Sequence, residues 1–364
     1  MVKILIATGG TGGHIYPALA AAEELRRRGH EVAFIGVLGS AAATLQQRGF
    51  RLTAIRARGF VAKSLTQKFL SVLDMFVAVL ACVREVLSYR PDVVVGFGGY
   101  SSFPAVLAAR LMARRAMFHE QNVVPGEANR MLTSMVQRIC VGFKGSLRYF
   151  PEGKAVWTGT PFRVAGNAID RATAARKFGL DPEKKIILVF GGSQGARRIN
   201  GCILEVLHNY EWARDWQVIH ATGELALVEV LAGYSNLPNA RYVRPFIENI
   251  DEAYAACDLA VTRAGAGTVT ELGMLGVPAV IIPYLGAKNH QLANARILEC
   301  AGSAAIIEEK SLSSDILGAK ILKVSENKSS RRDFQETLKG EFRTDAALCL
   351  ADEVEAIAGC KPGK

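Results

Sequence analysis

Val261–Asn294 reads V-T-R-A-G-A-G-T-V-T-E-L-G-M-L-G-V-P-A-V-I-I-P-Y-L-G-A-K-N-H-Q-L-A-N, and this stretch decides the fold. A short apolar strand, residues 258–262, runs into Gly265 and Gly267, and the spacing predicts a helix from about Thr268. Glycine lets the backbone approach a ligand closely, and the first helical N–H groups have no intrahelical partner. The turn is therefore a ready anion site. Thr268 and Glu271 are three apart and share a face near that start. A carboxylate beside a phosphate site serves phosphate badly, but it suits the paired hydroxyls of a ribose, as in dinucleotide sites. Gly276 and Pro278 end the helix, and residues 279–282 form a second buried strand. Lys288 to Gln291 lies at the C-terminal end of that strand, where open α/β sheets bind ligands. The rival reading is a capping glutamate on an ordinary βα turn.

The same unit recurs along the chain. Lys185 to Phe190 runs into Gly191-Gly-Ser-Gln-Gly-Ala-Arg-Arg198, where the Ser193 hydroxyl and neighbouring N–H groups could hold phosphate. Strands follow at residues 217–223 and 240–247, and Phe246 with Ile247 offers an apolar wall and backbone groups suited to a base. In the first half, the strand Val2 to Ala7 enters Thr8-Gly-Gly-Thr-Gly-Gly-His14, then Ile15-Tyr-Pro17 and a helix through Arg28. Gly9, Gly10, Gly12 and Gly13 do not make G-x-G-x-x-G, and the two glycine pairs suggest a wider, flatter cradle. Pro91 to Tyr100 reads as a strand and a glycine turn. Ala116 to Asn122 is a strand ending in four polar side chains, His119-Glu-Gln-Asn122. Gly159 to Pro161 reads as the hinge, and Asp345 to Ala358 as a helix.

A chain of 364 residues is long for one core. The expected domains are 1–160, 161–340, and a terminal segment 341–364 whose helix could bridge the two. The seven cysteines are scattered without C-x-x-C or Cys/His clustering, as in a reducing compartment, and no signal peptide opens the chain. The formal charge of +10 is uneven: residues 1–160 hold 20 Lys+Arg against 9 Asp+Glu, and the remainder 24 against 25. The basic surface thus belongs to the first half, which suits an anionic membrane or a phosphorylated substrate. Nucleic acid is disfavoured, since no zinc finger, aromatic RNA-binding signature or basic recognition helix occurs. Lys63, Lys68 and Arg84 flank an apolar run containing Phe69, Leu73, Phe76 and Leu80, with Asp74 inside it. The run is too short to span a bilayer. It could dip into an anionic leaflet, or its apolar face could simply be core.

Six motifs stand in register: Gly9-Gly-Thr-Gly-Gly-His14, His119-Glu-Gln-Asn122, Gly159-Thr-Pro-Phe-Arg163, Gly191-Gly-Ser-Gln-Gly195, Arg263 to Glu271, and His290-Gln291. Together, over about residues 1–310, they resemble the MurG family, glycosyltransferase family 28, whose members make lipid II. Thr160 departs from a common Asn, and Gly267 from a bulkier residue. The resemblance implies a GT-B fold, two Rossmann-like α/β domains facing across a cleft. It further implies inverting transfer of GlcNAc from UDP-GlcNAc to the C4 hydroxyl of the muramoyl sugar of lipid I. On that basis UDP lies on the second half: the base at Phe246 and Ile247, the ribose on Glu271, and the diphosphate at Ser193, Arg163 and Ala266–Thr268. Gln291, His290 and Asn122 fall near the donor sugar. The acceptor diphosphate falls on Gly9, Gly10, Thr11, Gly12 and Gly13, with Thr11–Gly13 also close to the donor. His14, at a helix N-terminus whose dipole disfavours the cationic ring, becomes the general base, and Glu120 its rival.

No D-x-D pair occurs, so neither a metal nor another cofactor is expected. Lipid I as substrate implies a peripheral protein on the cytoplasmic face of the inner membrane, with other cell-wall synthesis proteins as candidate partners. Three alternatives stand beside this. A glycosyldiacylglycerol synthase needs no diphosphate cradle, a UDP-GlcNAc 2-epimerase wants more acid/base groups, and a non-catalytic UDP-sugar scaffold would release no UDP.

Overall fold

The computed structural model describes all residues except 11, 40, 56–64, 163–168, 193–194, 285, 287–288 and 361–364, together with the side chains of 41 and 65–72. Thr11, Lys63, Arg163 and Ser193, and the side chains of Lys68 and Phe69, lie outside the described residues. The chain divides into two compact units, 1–163 with 341–364, and 164–340.

The first unit is a seven-stranded parallel sheet: β1 (Lys3–Gly9), β2 (Glu31–Val37), β3 (Arg51–Ala54), β4 (Val93–Gly96), β5 (Arg115–Glu120), β6 (Arg138–Val141) and β7 (Ala155–Trp157), in the order β3-β2-β1-β4-β5-β6-β7. Its inner strands β1, β2 and β4 read as near-continuous apolar runs because both faces are buried. Ile4, Ile6, Val93, Val95 and Met117 pack with Ala18, Leu19 and Leu25 of the Gly12–Arg27 helix, and with Leu350 and Val354 of the Ala346–Ala358 helix. Leu5, Ala7, Val94 and Phe118 face the other way. They pack against Ala78, Cys82 and Val86 of the Leu65–Tyr89 helix and Ala105, Val106 and Ala109 of the Gly99–Leu111 helix.

The second unit holds β8 (Ile186–Phe190), β9 (Gln217–Ala221), β10 (Arg241–Arg244), β11 (Leu259–Thr262), β12 (Ala279–Ile281) and β13 (Ala304–Ile306), all parallel, ordered β10-β9-β8-β11-β12-β13. Ile187, Val189, Val218, Leu259, Val261 and Val280 pack under Ile199, Ile203 and Val206 of the Arg197–Asn209 helix, and under Leu317 and Ile321 of the Ser314–Ser325 helix. The two sheets share one winding. Each reverses strand order beside its first strand, at β1/β4 and at β8/β11, and such switch points are where doubly wound sheets hold ligands.

Several boundaries differ from the sequence expectation. The first helix begins at Gly12, not beyond Pro17, so Gly12 and Gly13 are its opening turn rather than part of a flat cradle. Opening N–H groups have no intrahelical partner, and glycine is tolerated in a first turn. For the same reason the helix after β11 starts at Ala266, two residues before Thr268. Its end matches: Gly276 is left-handed, with φ 62°. The terminal helix, read as a possible bridge, is built into the first unit. Arg28 reaches Asp352 at 2.6 Å and Glu355 at 2.9 Å, and His30 Nε2 meets Glu355 at 2.7 Å. Gly159 to Pro161, read as the hinge, is also packed within that unit. His119 Nε2 donates to the Gly159 carbonyl at 2.8 Å, and Thr160 is buried.

The Leu65–Tyr89 helix divides its apolar run between core and solvent. Met75, Ala78, Cys82 and Val86 are core, while Leu73, Phe76, Val77, Leu80 and Leu87 are exposed, Phe76 by 60%. Arg84 is exposed beside them. Among the described residues, no helix is long and apolar enough to cross a membrane.

Candidate functional site

In the first unit, the strand ends at the switch point converge on His14. Gly9 closes β1 against β2 so tightly that a Cβ there would come within 2.4 Å of the Val37 carbonyl oxygen, and the Gly10 N–H donates to that carbonyl at 3.1 Å. The chain then enters the Gly12–Arg27 helix, placing His14 in its first turn. Beyond β4, Gly98 and Gly99 adopt φ of 76° and 72°, a conformation glycine reaches without strain. Their backbone lies flat against the imidazole: a Cβ at Gly98 would sit 2.9 Å from Gln121 Oε1 and 3.2 Å from His14 Cε1.

From the end of β5, His14 Nδ1 and Gln121 Oε1 are 3.1 Å apart, and Gln121 Nε2 donates to the Phe97 carbonyl at 3.2 Å. Burial lowers the His14 pKa from its ordinary 6.5, partly opposed by the negative charge of Glu120 and the Gln121 hydrogen bond. The ring is therefore neutral near pH 7. The sequence attributed neutrality to the helix dipole, and burial acts in the same direction.

Glu120 is buried with both oxygens occupied. Oε1 accepts from the Asn122 N–H (2.8 Å) and Nδ2 (3.2 Å), and Oε2 from the Gly126 N–H (3.0 Å) and Asn129 Nδ2 (2.7 Å). It organises the 122–129 turn. Asn122 is held in the same turn, its carbonyl accepting from Ser146 Oγ at 2.9 Å. His119 is fully buried and stacks on Phe97 with centroids 5.7 Å apart, and burial pushes its pKa down to about 4.

In the second unit, Gly265 caps the Ala266–Leu275 helix. A Cβ at Gly267 would meet nothing within 4 Å, so the helix start is open at that position. One turn on, Glu271 Oε2 accepts from the Tyr254 hydroxyl at 2.8 Å. Burial raises the Glu271 carboxyl to about 7, with Asp251 adding to the rise and the Tyr254 bond opposing it. Gln291 Oε1 accepts from the N–H groups of Ala264 (3.2 Å) and Tyr284 (2.8 Å), sewing the β11 turn to the end of β12. His290 opens the His290–Cys300 helix behind the left-handed Asn289. Phe246, 45% exposed, follows β10, with Ile247 buried beside it.

Two contributors escaped the sequence. Gln121 lay inside a quoted motif, but nothing local shows which way an amide points. Tyr254 sits on another helix, 17 residues before its partner, with no signal in its spacing.

Comparison with known proteins fits this geometry. Residues 4–141 match the glycosyltransferase family 28 N-terminal domain, and residues 186–348 the family 28 C-terminal domain. The UDP-N-acetylglucosamine–N-acetylmuramyl-(pentapeptide) pyrophosphoryl-undecaprenol N-acetylglucosamine transferase of Desulfotalea psychrophila is 36% identical over 351 residues, covering 95% of this chain and 94% of its own. The protein of that name from Geobacter metallireducens is 37% identical over 359 residues, covering 97% and 98%. The crystal structure of Acinetobacter baumannii MurG matches with a TM-score of 0.73 at 26% identity, covering 98% of this chain and 100% of that one. With both halves matched in order and relatives aligned over nearly their full length, the chain has the GT-B fold and belongs to glycosyltransferase family 28, the family of the MurG N-acetylglucosaminyltransferases.

Proposed function

We propose that this protein transfers GlcNAc from UDP-GlcNAc to the C4 hydroxyl of the muramoyl sugar of lipid I, with inversion, giving lipid II and UDP. The observation that carries this is the near-full-length match to relatives named for that transfer. The chemistry of each unit supports it. In the first, a neutral His14 beside a glycine turn takes the hydroxyl proton as oxygen attacks the anomeric carbon. The acceptor diphosphate lies against Gly9 and Gly10 and the helix start at Gly12 and Gly13. Glu120 is the weaker candidate base, because four donors already occupy its oxygens. In the second unit, Glu271 takes the ribose and Phe246 with Ile247 the uracil. The helix start at Ala266–Thr268 takes the diphosphate, to which the sequence also assigns Ser193 and Arg163, and Gln291 and His290 take the sugar. Positive helix-start N–H groups stabilise the departing UDP.

The deciding experiment supplies labelled UDP-GlcNAc and a lipid I analogue and identifies the product. A β-1,4-linked GlcNAc–MurNAc lipid is expected. Unchanged sugar nucleotide would leave a binding scaffold, and 2-epimerised sugar would overturn the transferase reading. Because the chain has no D-x-D to bridge a metal to the diphosphate, activity is expected to persist in excess EDTA. Loss of turnover in chelator, restored by Mg²⁺ or Mn²⁺, would contradict that account of the leaving group.

Lipid I is anchored in a bilayer, so the acceptor-binding unit docks there, on the cytoplasmic face. Support comes from the basic first half and from Leu73, Phe76 and Leu80 exposed beside Arg84, with Lys63, Lys68 and Phe69 adjoining them in sequence. Each basic residue near an anionic surface contributes about 1 kcal/mol, and inserted apolar side chains add comparably. Binding is thus reversible and salt-sensitive. Phe76→Ser with Leu80→Ser should abolish sedimentation with anionic vesicles while sparing turnover of a short-chain lipid I analogue. Since both side chains are exposed, the variant should melt as the parent does. Undiminished sedimentation would assign docking to another surface.

A further inference from the structure

We propose that Gln121 is a positioning residue that fixes the tautomer of His14, holding the ring proton on Nδ1 and leaving the Nε2 lone pair to accept the proton of the acceptor hydroxyl. The proposal rests on the reading of His14 as the base.

The orientation of the Gln121 amide is set by its far end. Nε2 donates to the Phe97 carbonyl at 3.2 Å, whereas a flipped amide would press two oxygens together. Oε1 therefore faces His14 Nδ1 at 3.1 Å, and a carboxamide oxygen can only accept, so Nδ1 must carry the hydrogen. The Gln121 side of the contact is buried, with Gln121 1% exposed and Phe97 fully buried. The Gly98-Gly99 turn closes over this side. Gly98 leaves no room for a side chain between amide and ring, and even a Cβ at Gly99 would come 3.5 Å from Nε2. Glycine thus leaves the Nε2 edge without a side chain, on the side where a hydroxyl has to approach.

The other neutral tautomer would set the Nδ1 lone pair against Oε1 and turn an N–H toward the substrate, where it could not act as a base. With Nδ1–H fixed, the reaction balances. The O4–H bond breaks as Nε2–H forms, the O4–C1 bond forms as the bond from C1 to the diphosphate breaks, and that electron pair leaves with UDP. An amide takes no proton onward, so the ring remains an imidazolium bonded to Oε1 until solvent or product relieves it. The other titratable groups about the ring, Glu120 and His119, do not substitute for Gln121. The Glu120 oxygens serve the 122–129 turn, and His119 donates to the Gly159 carbonyl.

The test is long-range ¹H–¹⁵N correlation on the full chain labelled with ¹⁵N-histidine, with the His14 signals identified by their loss in His14→Ala. A single Nδ1–H tautomer is expected. In Gln121→Leu a mixture should replace it and kcat should fall roughly 10- to 100-fold, with the KM for UDP-GlcNAc unchanged. Gln121→Glu keeps an acceptor toward Nδ1 and adds a charge while losing the donor to the Phe97 carbonyl, so the acid limb of the kcat/KM profile should move up by about one pH unit or more, with kcat at high pH above that of the leucine variant. An Nε2–H tautomer in the unmodified protein, or an Nδ1–H tautomer that survives in Gln121→Leu, would overturn the proposal. If the leucine variant does not fold, the unmodified protein and the glutamate variant decide. A locked Nδ1–H tautomer together with undiminished kcat in His14→Ala would keep the lock and refute the base.

Discussion

His14→Ala is expected to lower kcat by about 10²–10⁴ while leaving UDP affinity nearly intact, as removal of a general base does. The side chain lies at the β1/β4 switch of the first unit, whereas the groups assigned to UDP are on the second or outside the described residues. Single-turnover kinetics with calorimetry for UDP would separate the two quantities. A preserved kcat with a raised acceptor KM would make His14 part of the diphosphate cradle instead. The pH profile carries a second signature. A base must be unprotonated to work, so with UDP-GlcNAc saturating, kcat/KM for the acceptor rises with pH through the His14 pKa and is flat above it. Burial lowers that pKa, so the inflection should fall below 6.5.

Glu271→Gln should weaken UDP and UDP-GlcNAc alike by about 1–3 kcal/mol, because a charge-assisted hydrogen bond to the ribose becomes a neutral one. Burial adds a pH dependence, since the unliganded carboxyl titrates near 7. The ribose hydroxyls need an acceptor, so binding favours the ionised form. Affinity for UDP-GlcNAc should be lower at pH 6, climb toward pH 7 and level off above it. UDP-GlcNAc suits this measurement because its diphosphate, esterified at both ends, does not itself titrate there. The glutamine variant should be flat across that range. Tyr254→Phe, which removes a hydrogen bond to the carboxylate, should move the inflection upward. Calorimetry giving the same UDP affinity for parent and glutamine variant would remove Glu271 from the ribose.

The winding of both sheets was legible because parallel strands buried on two faces leave unbroken apolar runs, and glycine marks the turns into helices. The helix starts were read late, at both Gly12 and Ala266, for one reason. Glycine counts against a helix interior but not against a first turn, where the N–H groups bond to nothing within the helix. The Leu65–Tyr89 helix shows a different limit. Its period separates Met75, Ala78 and Cys82 from Phe76 and Leu80, but composition alone does not say which row is covered. The residues proposed to act through their own chemistry, His14 and Glu271, stood out in the sequence. Gln121 and Tyr254 did not, because each acts by the direction of one hydrogen bond across the fold.

The terminal helix bears on how the protein is made. Residues 164–340 are contiguous, and that unit has its full sequence once they have left the ribosome. The first unit does not, because Leu350, Ala351 and Val354, which cover one face of its sheet, are still unsynthesised. Until then Ile4, Ile6 and Val95 lack part of their cover, and Arg28 lacks its acidic partners on that helix. Domains emerging from a ribosome ordinarily mature from the N-terminus onward. Here the order is inverted: the half that begins first is finished last, after residues 164–340 can already have formed.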